Sequence, residues 1–461
     1  MDDALLKQAL REALGLARAG QQAAAAGALA RLHDVRPDAA QVAIALAKLQ
    51  VQRGELPAAE TTLRRSLEQK PDHEMLAVEL ATVRAAHDQH AAVSTLRDFV
   101  SRRPSSPLAW LVLGHLLATT GNQAAALQAS FQALLGAHAL GAWQEPATTP
   151  PHLFELVQSA VAAVSAGRRE LLVSCTDALR AEHGPQALLR IDHALRGYLG
   201  DEALVPPDPM QRPRFLYIPG LPTTPYMDPF LHPWAPRLRD AFEPIRDEAL
   251  SLIQEQWQLE DFVEVKEGDR IGNYLGGAKP SWEAFFFYRH GQRFDQNHQR
   301  CPRTSAVLES LDLSRIPGQT PEVCFSVLAP GTHILPHHGV SNMRAVMHLP
   351  LVVPDNCALH LVDRGVHHWV EGELVMFDDT FLHESWNRSE SLRIIVLMDC
   401  WNPYLTTVER EAATVLAPAI GLVDVALKAA DWSRTKGQTK EKPVSELTGL
   451  VRQTAPTAAR K

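Results

Sequence analysis

The chain has 461 residues, 46 % of them hydrophobic and 21 % charged, and a formal net charge of −8. It is too long for a single hydrophobic core, so several domains are expected. The composition is that of a folded globular protein, and its mild acidity excludes the basic footprint of a nucleic-acid binder.

The N-terminus, Met1-Asp2-Asp3-Ala4, lacks the basic and apolar regions of a secretory signal. No apolar run reaches the roughly 18 to 20 residues that cross a bilayer. The five cysteines, Cys175, Cys301, Cys324, Cys357 and Cys400, are odd in number, scattered and free of CxxC pairs. That pattern fits a reducing compartment and argues against a disulfide framework or a zinc ribbon. A cytoplasmic location without a membrane span is expected.

The front third repeats. Gly20, Gly54, Asp88 and Gly121 recur at intervals of 34, 34 and 33 residues and open similar phrases: GQQAAAA, GELPAAE, DQHAAVS and GNQAAAL. Pro37, Pro71 and Pro104 recur in step. Leu46-Ala47, Leu80-Ala81 and Leu113-Gly114 precede the turns, and Ala25, Ala59, Val93 and Ala126 follow them, so that paired helices can approach closely. Trp110-x-x-Leu113-Gly114 resembles the tetratricopeptide signature, and the resemblance covers residues 4–138. Such units stack into a curved array because none buries its apolar face alone. The array is read either as a concave docking surface for a peptide or protein, or as a stabilising or dimerising appendage that would make a homodimer.

Residues 144–151, with three prolines, form a linker by composition. Helical spacing of Leu153, Leu156, Val157 and Val161 makes residues 152–200 a helical connector, and Val205-Pro206-Pro207-Asp208-Pro209 marks a second linker. Phe215 to Ile218 is a strand candidate, and one helix is expected from Ala235 to Gln258 on an apolar stripe of Leu238, Phe242, Ile245, Leu250 and Ile253. Further strands are expected over Val323 to Leu328, Arg344 to Val352, Leu359 to Val362, Leu374 to Phe377 and Leu392 to Met398. Pro330-Gly331-Thr332 is a tight turn and Asp363-Arg364-Gly365 a hairpin candidate. Short antiparallel strands at this rhythm argue for a double-stranded β-helix, a jelly-roll barrel with flanking helices. Behind it, Thr406-x-x-Glu409 is a capping box before a helix over Val415 to Ala430, and Ser433 to Lys461 reads as a mobile tail.

Within the strand-rich part, His337 and His383 stand 46 residues apart and Arg393 ten further on. Two neutral imidazoles suit a divalent transition metal such as iron, and a planar guanidinium suits a carboxylate gripped through two hydrogen bonds. A metal beside a carboxylate anchor is the layout of an iron enzyme that consumes an oxo-acid.

The words FSVLAPGTHILPHHG (325–339), MHLPLVVP (347–354), FDDTFLHESWN (377–387) and LRIIVLMDCWNP (392–403) closely resemble the aspartyl/asparaginyl β-hydroxylase family. YIPGLPTTPYMDP (217–228) and PIRDEAL (244–250) resemble its opening segment, so the likeness covers residues 214–410. It implies a dioxygenase domain over 206–415, between repeats at 1–140 with the 152–200 connector and a C-terminal helix and tail at 416–461. It also implies Fe(II), 2-oxoglutarate and O2 as cofactors. His337 and His383 match the iron ligands, Arg393 and Ser326 the groups that hold the distal carboxylate of 2-oxoglutarate, and His348 a residue beside its metal-binding end.

Two positions are distinctive. Iron oxygenases of this type usually place an acid two residues after the first histidine. Gly339 stands there, as the resemblance implies. The family commonly carries an arginine at the position of Val346; Arg344, two residues back on the same strand face, is expected to supply part of that charge to the cosubstrate. Asp378 and Asp379 are read as a carboxylate that orients His383 or caps a turn. His333, His360, His367 and His368 have no matched role, the last two being expected at the surface near a hairpin.

The implied activity is hydroxylation of the β-carbon of an Asp or Asn residue in a peptide or protein that the repeats present. The alternatives are the same chemistry on a free amino acid, natural product or lipid, and a repeat scaffold with a degenerate barrel.

Overall fold

The structure, a computed structural model, describes residues 2–263 and 271–428. It divides into two compact units, Met1–Leu171 with Gly421–Lys461, and Leu172–Ile420. The segment 152–200, expected as a connector, is shared between them: helix Phe154–Ala166 lies in the first and Leu189–Leu199 in the second. The expected tail, Ser433 to Lys461, lies outside the described residues. Among the described residues no helix is long and apolar enough to cross a membrane.

The repeats are helix pairs: Asp3–Arg18 with Gln22–Val35, Ala40–Gln52 with Leu56–Gln69, Glu74–Ala85 with Gln89–Arg102, and Pro107–Thr119 with Gln123–Ala139. Three of the four turns use a left-handed residue, at Gly20 (φ 79°), Gly54 (φ 77°) and Gly121 (φ 82°), where an added Cβ would be strained. The fourth uses Asp88, whose carboxylate accepts from Ala91 N at 2.9 Å and caps the next helix. The small residues lie where the helices meet: a Cβ on Gly114 would stand 3.0 Å from Ser130 Oγ. His33 Nε2 lies 2.9 Å from Ser66 Oγ, which donates to the Pro37 carbonyl at 2.6 Å, so one pair is tied to the next.

The second unit is rich in β-sheet. Its eight-stranded sheet runs Tyr226–Met227, Val375–Phe377, Arg344–Val352, Arg393–Trp401, Val323–Leu328, Trp282–Arg289 and Glu260–Asp261, with Gln292–Arg293 paired to Trp282–Arg289. The five-stranded sheet runs Gly365–His367, Cys357–Leu361, His383–Asn387, His333–His337 and Leu275–Gly276. All pairings between strands are antiparallel.

Alternation along the long strands sorts their side chains. Val323, Phe325 and Val327, then Ala345, Met347 and Leu349, then Ile394, Val396 and Met398 pack with Leu238, Ile245 and Leu252 of the helices. Their neighbours Ser326, Arg344, Val346, His348, Arg393, Leu397 and Asp399 line a cavity on the other face.

Several expectations need correction. The helix expected over Ala235 to Gln258 is two, Ala235–Asp240 and Phe242–Gln254, meeting at Ala241; Pro244 has no N–H to bond back to Asp240. Phe215 to Ile218 is not a strand, for only Leu216 forms a bridge there, parallel to Ser341. Trp282–Arg289 is a further strand, not among those expected. The final helix spans Thr407–Lys428, and its capping box forms: Thr406 N donates to Glu409 Oε2 at 2.9 Å, and Glu409 N to Thr406 Oγ1 at 3.3 Å.

Candidate functional site

His337 is the last residue of one strand and His383 the first of another, and the two are direct register partners across the antiparallel pair. Their ring centroids are 4.2 Å apart. His337 Nδ1 lies 2.8 Å from the Leu335 carbonyl oxygen and His383 Nδ1 lies 2.9 Å from that of Phe381. A carbonyl only accepts, so each Nδ1 is the protonated nitrogen and each Nε2 carries a lone pair. Burial lowers the pKa of both, that of His383 to about 3, with the facing His337 adding to the effect. Two neutral imidazoles with their Nε2 lone pairs available are the donor set a transition metal takes. Among the described residues no group of three or more His, Cys, Asp or Glu side chains is arranged as a metal centre.

Gly339 explains the missing third ligand. A Cβ there would fall 2.1 Å from Asp379 Cγ and 2.2 Å from its Oδ2. The Asp379 carboxylate thus occupies the space a side chain at 339 would need, and a negative charge stands near the histidines without belonging to their strand. Gly339→Ala is expected to drive Asp379 off Arg344 and to destabilise the sheet-rich unit by about 1–3 kcal/mol. Thermal denaturation checks this, and an unchanged melting temperature would show that the crowding is harmless.

The same cavity, of about 280 Å³, reaches Arg393. This side chain is 2 % exposed, and its Nε and Nη2 meet no hydrogen-bond partner among the described residues. Its guanidinium lies 5.2 Å from the Trp369 ring centroid. Burial pushes its pKa down to about 10, the mark of a cation held without a counter-charge. Ser326 is fully buried and its Oγ accepts from Trp282 Nε1 at 2.8 Å, which leaves its own proton to donate. His348 packs on Phe377 and Trp369, with centroids 5.2 Å and 5.8 Å away. Burial holds its pKa well below the usual value, and the fields of Arg393 and His383 act in the same direction.

Arg344 also lines the cavity, but not as a free cation. Its Nη2 donates to Asp379 Oδ2 at 2.8 Å and its Nη1 to Asp399 Oδ1 at 2.7 Å. The charge expected to serve a cosubstrate is therefore already met by two carboxylates. Of the paired acids, Asp378 caps the turn, accepting from Thr380 N at 2.9 Å and Gln211 Nε2 at 2.8 Å. Neither acid orients His383, whose Nδ1 goes to the Phe381 carbonyl.

Next to His337 on an extended strand, His338 would be expected on the opposite face; the strand ends at His337, and His338 lines the cavity too, with Nδ1 2.9 Å from the Thr380 carbonyl. His333 and His360 bracket Glu384 at 2.6 Å and 2.8 Å. They alternate with the cavity-lining Ile334, Leu359 and Ser385 and so belong to the other face of the small sheet. His367 is half-buried, 5.8 Å from the Tyr226 ring, while His368 is exposed. Trp282, Trp369 and Phe377 are not among the residues expected at the site. The aromatic run WEAFFFYR at 282–289 was the available signal for the first.

Residues 239–403 match the family model described as Aspartyl/Asparaginyl beta-hydroxylase, and residues 16–79 match Tetratricopeptide repeat. The chain is 31 % identical over 215 residues to Aspartate beta-hydroxylase domain-containing protein 2 of Xenopus tropicalis, covering 45 % of this chain and 56 % of that protein. It is 31 % identical over 182 residues to Ornithine lipid ester-linked acyl 2-hydroxylase of Rhizobium tropici, covering 39 % and 61 %. It is 33 % identical over 170 residues to Aspartyl/asparaginyl beta-hydroxylase of Mus musculus, covering 36 % and 21 %. The matches thus span between 21 % and 61 % of these relatives' own length. Among solved structures, a Pseudomonas putida prolyl-4-hydroxylase shares 15 % identity over 34 % of this chain and 86 % of that one, with a TM-score of 0.22. MamA protein shares 15 % over 44 % and 98 %, with a TM-score of 0.27.

Proposed function

We propose that this chain, which carries an aspartyl/asparaginyl β-hydroxylase domain behind tetratricopeptide repeats, is an Fe(II)- and 2-oxoglutarate-dependent hydroxylase that acts on the β-carbon of an Asp or Asn residue in a peptide or protein. The observation that carries the reading is Arg393: a buried guanidinium with two unpartnered nitrogens, in the same cavity as a pair of neutral histidines. A buried cation without a counter-ion is unfavourable by several kcal/mol, and a small dicarboxylate would supply the missing charge. The two facing sheets, with the cavity between their inner residues, support the double-stranded β-helix reading.

In this reading His337 and His383 hold iron through Nε2, and their backbone hydrogen bonds fix the rings in place. Arg393 and the Ser326 hydroxyl bind the distal carboxylate of 2-oxoglutarate, and Trp282 fixes the serine oxygen. His348, kept neutral, flanks the keto end. When bound, iron and the oxo-acid supply the oxidising chemistry: dioxygen is consumed, succinate and carbon dioxide leave, and one oxygen atom goes to the substrate carbon. Phe377, Leu359 and Leu397 keep bulk water from that space. The helical repeats are the part proposed to present the substrate chain, and the cytoplasm is the proposed location.

A second reading keeps the mechanism and changes the substrate to a lipid or other apolar small molecule. The apolar lining of Val346, Leu359, Phe377 and Leu397 favours it, as does the likeness to a lipid acyl hydroxylase.

The test is succinate release from 2-oxoglutarate with Fe(II) and ascorbate, wild type against His383→Ala. Turnover at least about a hundredfold lower in the variant, roughly 2.7 kcal/mol, is the expected result. A wild-type chain that neither turns over nor retains iron would point to a repeat scaffold with an inactive barrel.

A further inference from the structure

One end of the cavity beside the two histidines is lined by Glu322, Arg344, Asp379 and Asp399. Arg344 is paired with both aspartates, at 2.8 Å and 2.7 Å. Asp379 Oδ1 is buried and meets no hydrogen-bond partner among the described residues. Glu322 adds a third carboxylate, whose pKa is pushed up to about 7 by burial, with Asp399 contributing. The other guanidinium in the lining is Arg393, which the proposed cosubstrate takes. On the strand face between Arg344 and His348 stands Val346, 7 % exposed. Arg344 keeps one buried Nε–H without a partner among the described residues, but its charge is outnumbered: three carboxylates line the space around this one guanidinium.

We propose that this cavity takes a nitrogen-bearing, hydrogen-bond-donating group at the reacting end of the substrate, a carboxamide or an ammonium, and turns away a carboxylate. The inference rests on the hydroxylase reading above and narrows its substrate class. Another carboxylate beside Asp379 and Asp399 would meet like-charge repulsion at low dielectric and would lose its hydration. An N–H group instead meets the unpartnered Asp379 oxygen. A site built around a buried hydrogen-bonding group rejects the analogue that lacks the matching donor.

The test gives the iron-loaded full chain three peptides that differ only in a central Asp, Asn or Lys. Succinate release is read in air and peptide binding by calorimetry without dioxygen. The Asn or Lys peptide is expected to exceed the Asp peptide at least about tenfold in kcat/KM and to bind more tightly, roughly 1.4 kcal/mol; whichever leads separates amide from ammonium. Val346→Arg, which adds a cation, and Asp399→Asn, which releases Arg344, are each expected to shrink that ratio, so the test survives if one variant fails to fold. An Asp peptide that performs as well or better overturns the inference, as do three peptides that all leave a working chain unchanged. Succinate release and iron content keep the two readings apart: a wild-type chain that releases none with or without peptide and retains no iron strikes the hydroxylase itself, whereas release with an Asp preference strikes only this inference.

Discussion

Arg393→Met is expected to leave a chain that is more stable and catalytically dead. The wild-type side chain is 2 % exposed, unpaired at Nε and Nη2, and pushed down by burial to a pKa of about 10. Methionine fills a similar volume without a charge to desolvate, and such exchanges stabilise by about 1–4 kcal/mol. Removing one partner of a buried charge pair, here the proposed partner of the cosubstrate carboxylate, costs about 2–5 kcal/mol of binding. The cofactor-free variant should therefore melt several degrees higher than wild type, and 2-oxoglutarate should raise the melting temperature of wild type alone. A variant that is less stable, or that still responds to 2-oxoglutarate, would show that Arg393 is a structural cation.

Arg344→Ala is expected to do the opposite. It removes the cation that pairs with both Asp379 and Asp399, at 2.8 Å and 2.7 Å, inside the cavity wall. Leaving buried carboxylates uncompensated costs about 3–5 kcal/mol, enough to lower the melting temperature of the sheet-rich unit by roughly 10 °C. Adding Asp399→Asn should recover part of the loss, because the two changes act on one contact and are not additive. The KM for 2-oxoglutarate of the folded variant should stay within about threefold of wild type. A stable variant with a sharply raised KM would instead restore Arg344 as a cosubstrate ligand.

The fold is legible in the sequence where the code is local. The 34-residue spacing of Gly20 and Gly54 marks places where the backbone turns left-handed, and the small residues between them mark where helices touch. Strict alternation in Arg344–Val352 correctly placed Arg344, Val346 and His348 on one face. It failed where a short strand has no apolar rhythm, as in His333–His337, and where one residue interrupts a periodic stripe, as at Ala241. Trp282–Arg289 was overlooked for another reason: buried on both faces, it reads as a continuous aromatic run without alternation.

By itself, then, the sequence determined the repeat array, most of the long strands and the identities of the histidines, serine and arginine that line the cavity, because each is written in spacing or in contiguous words. Only the tertiary structure decided the charge balance of that cavity. Arg344 meets Asp379 across 35 residues and Asp399 across 55, and Asp379 reaches Gly339 from the turn between strands Val375–Phe377 and His383–Asn387. Such pairings follow from sheet register, which brings distant residues within hydrogen-bonding range and leaves no periodic trace along the chain. Whether the charge of an arginine is already met depends on those partners: Arg344 is paired with two carboxylates, while Arg393 in the same cavity keeps two nitrogens without a partner among the described residues.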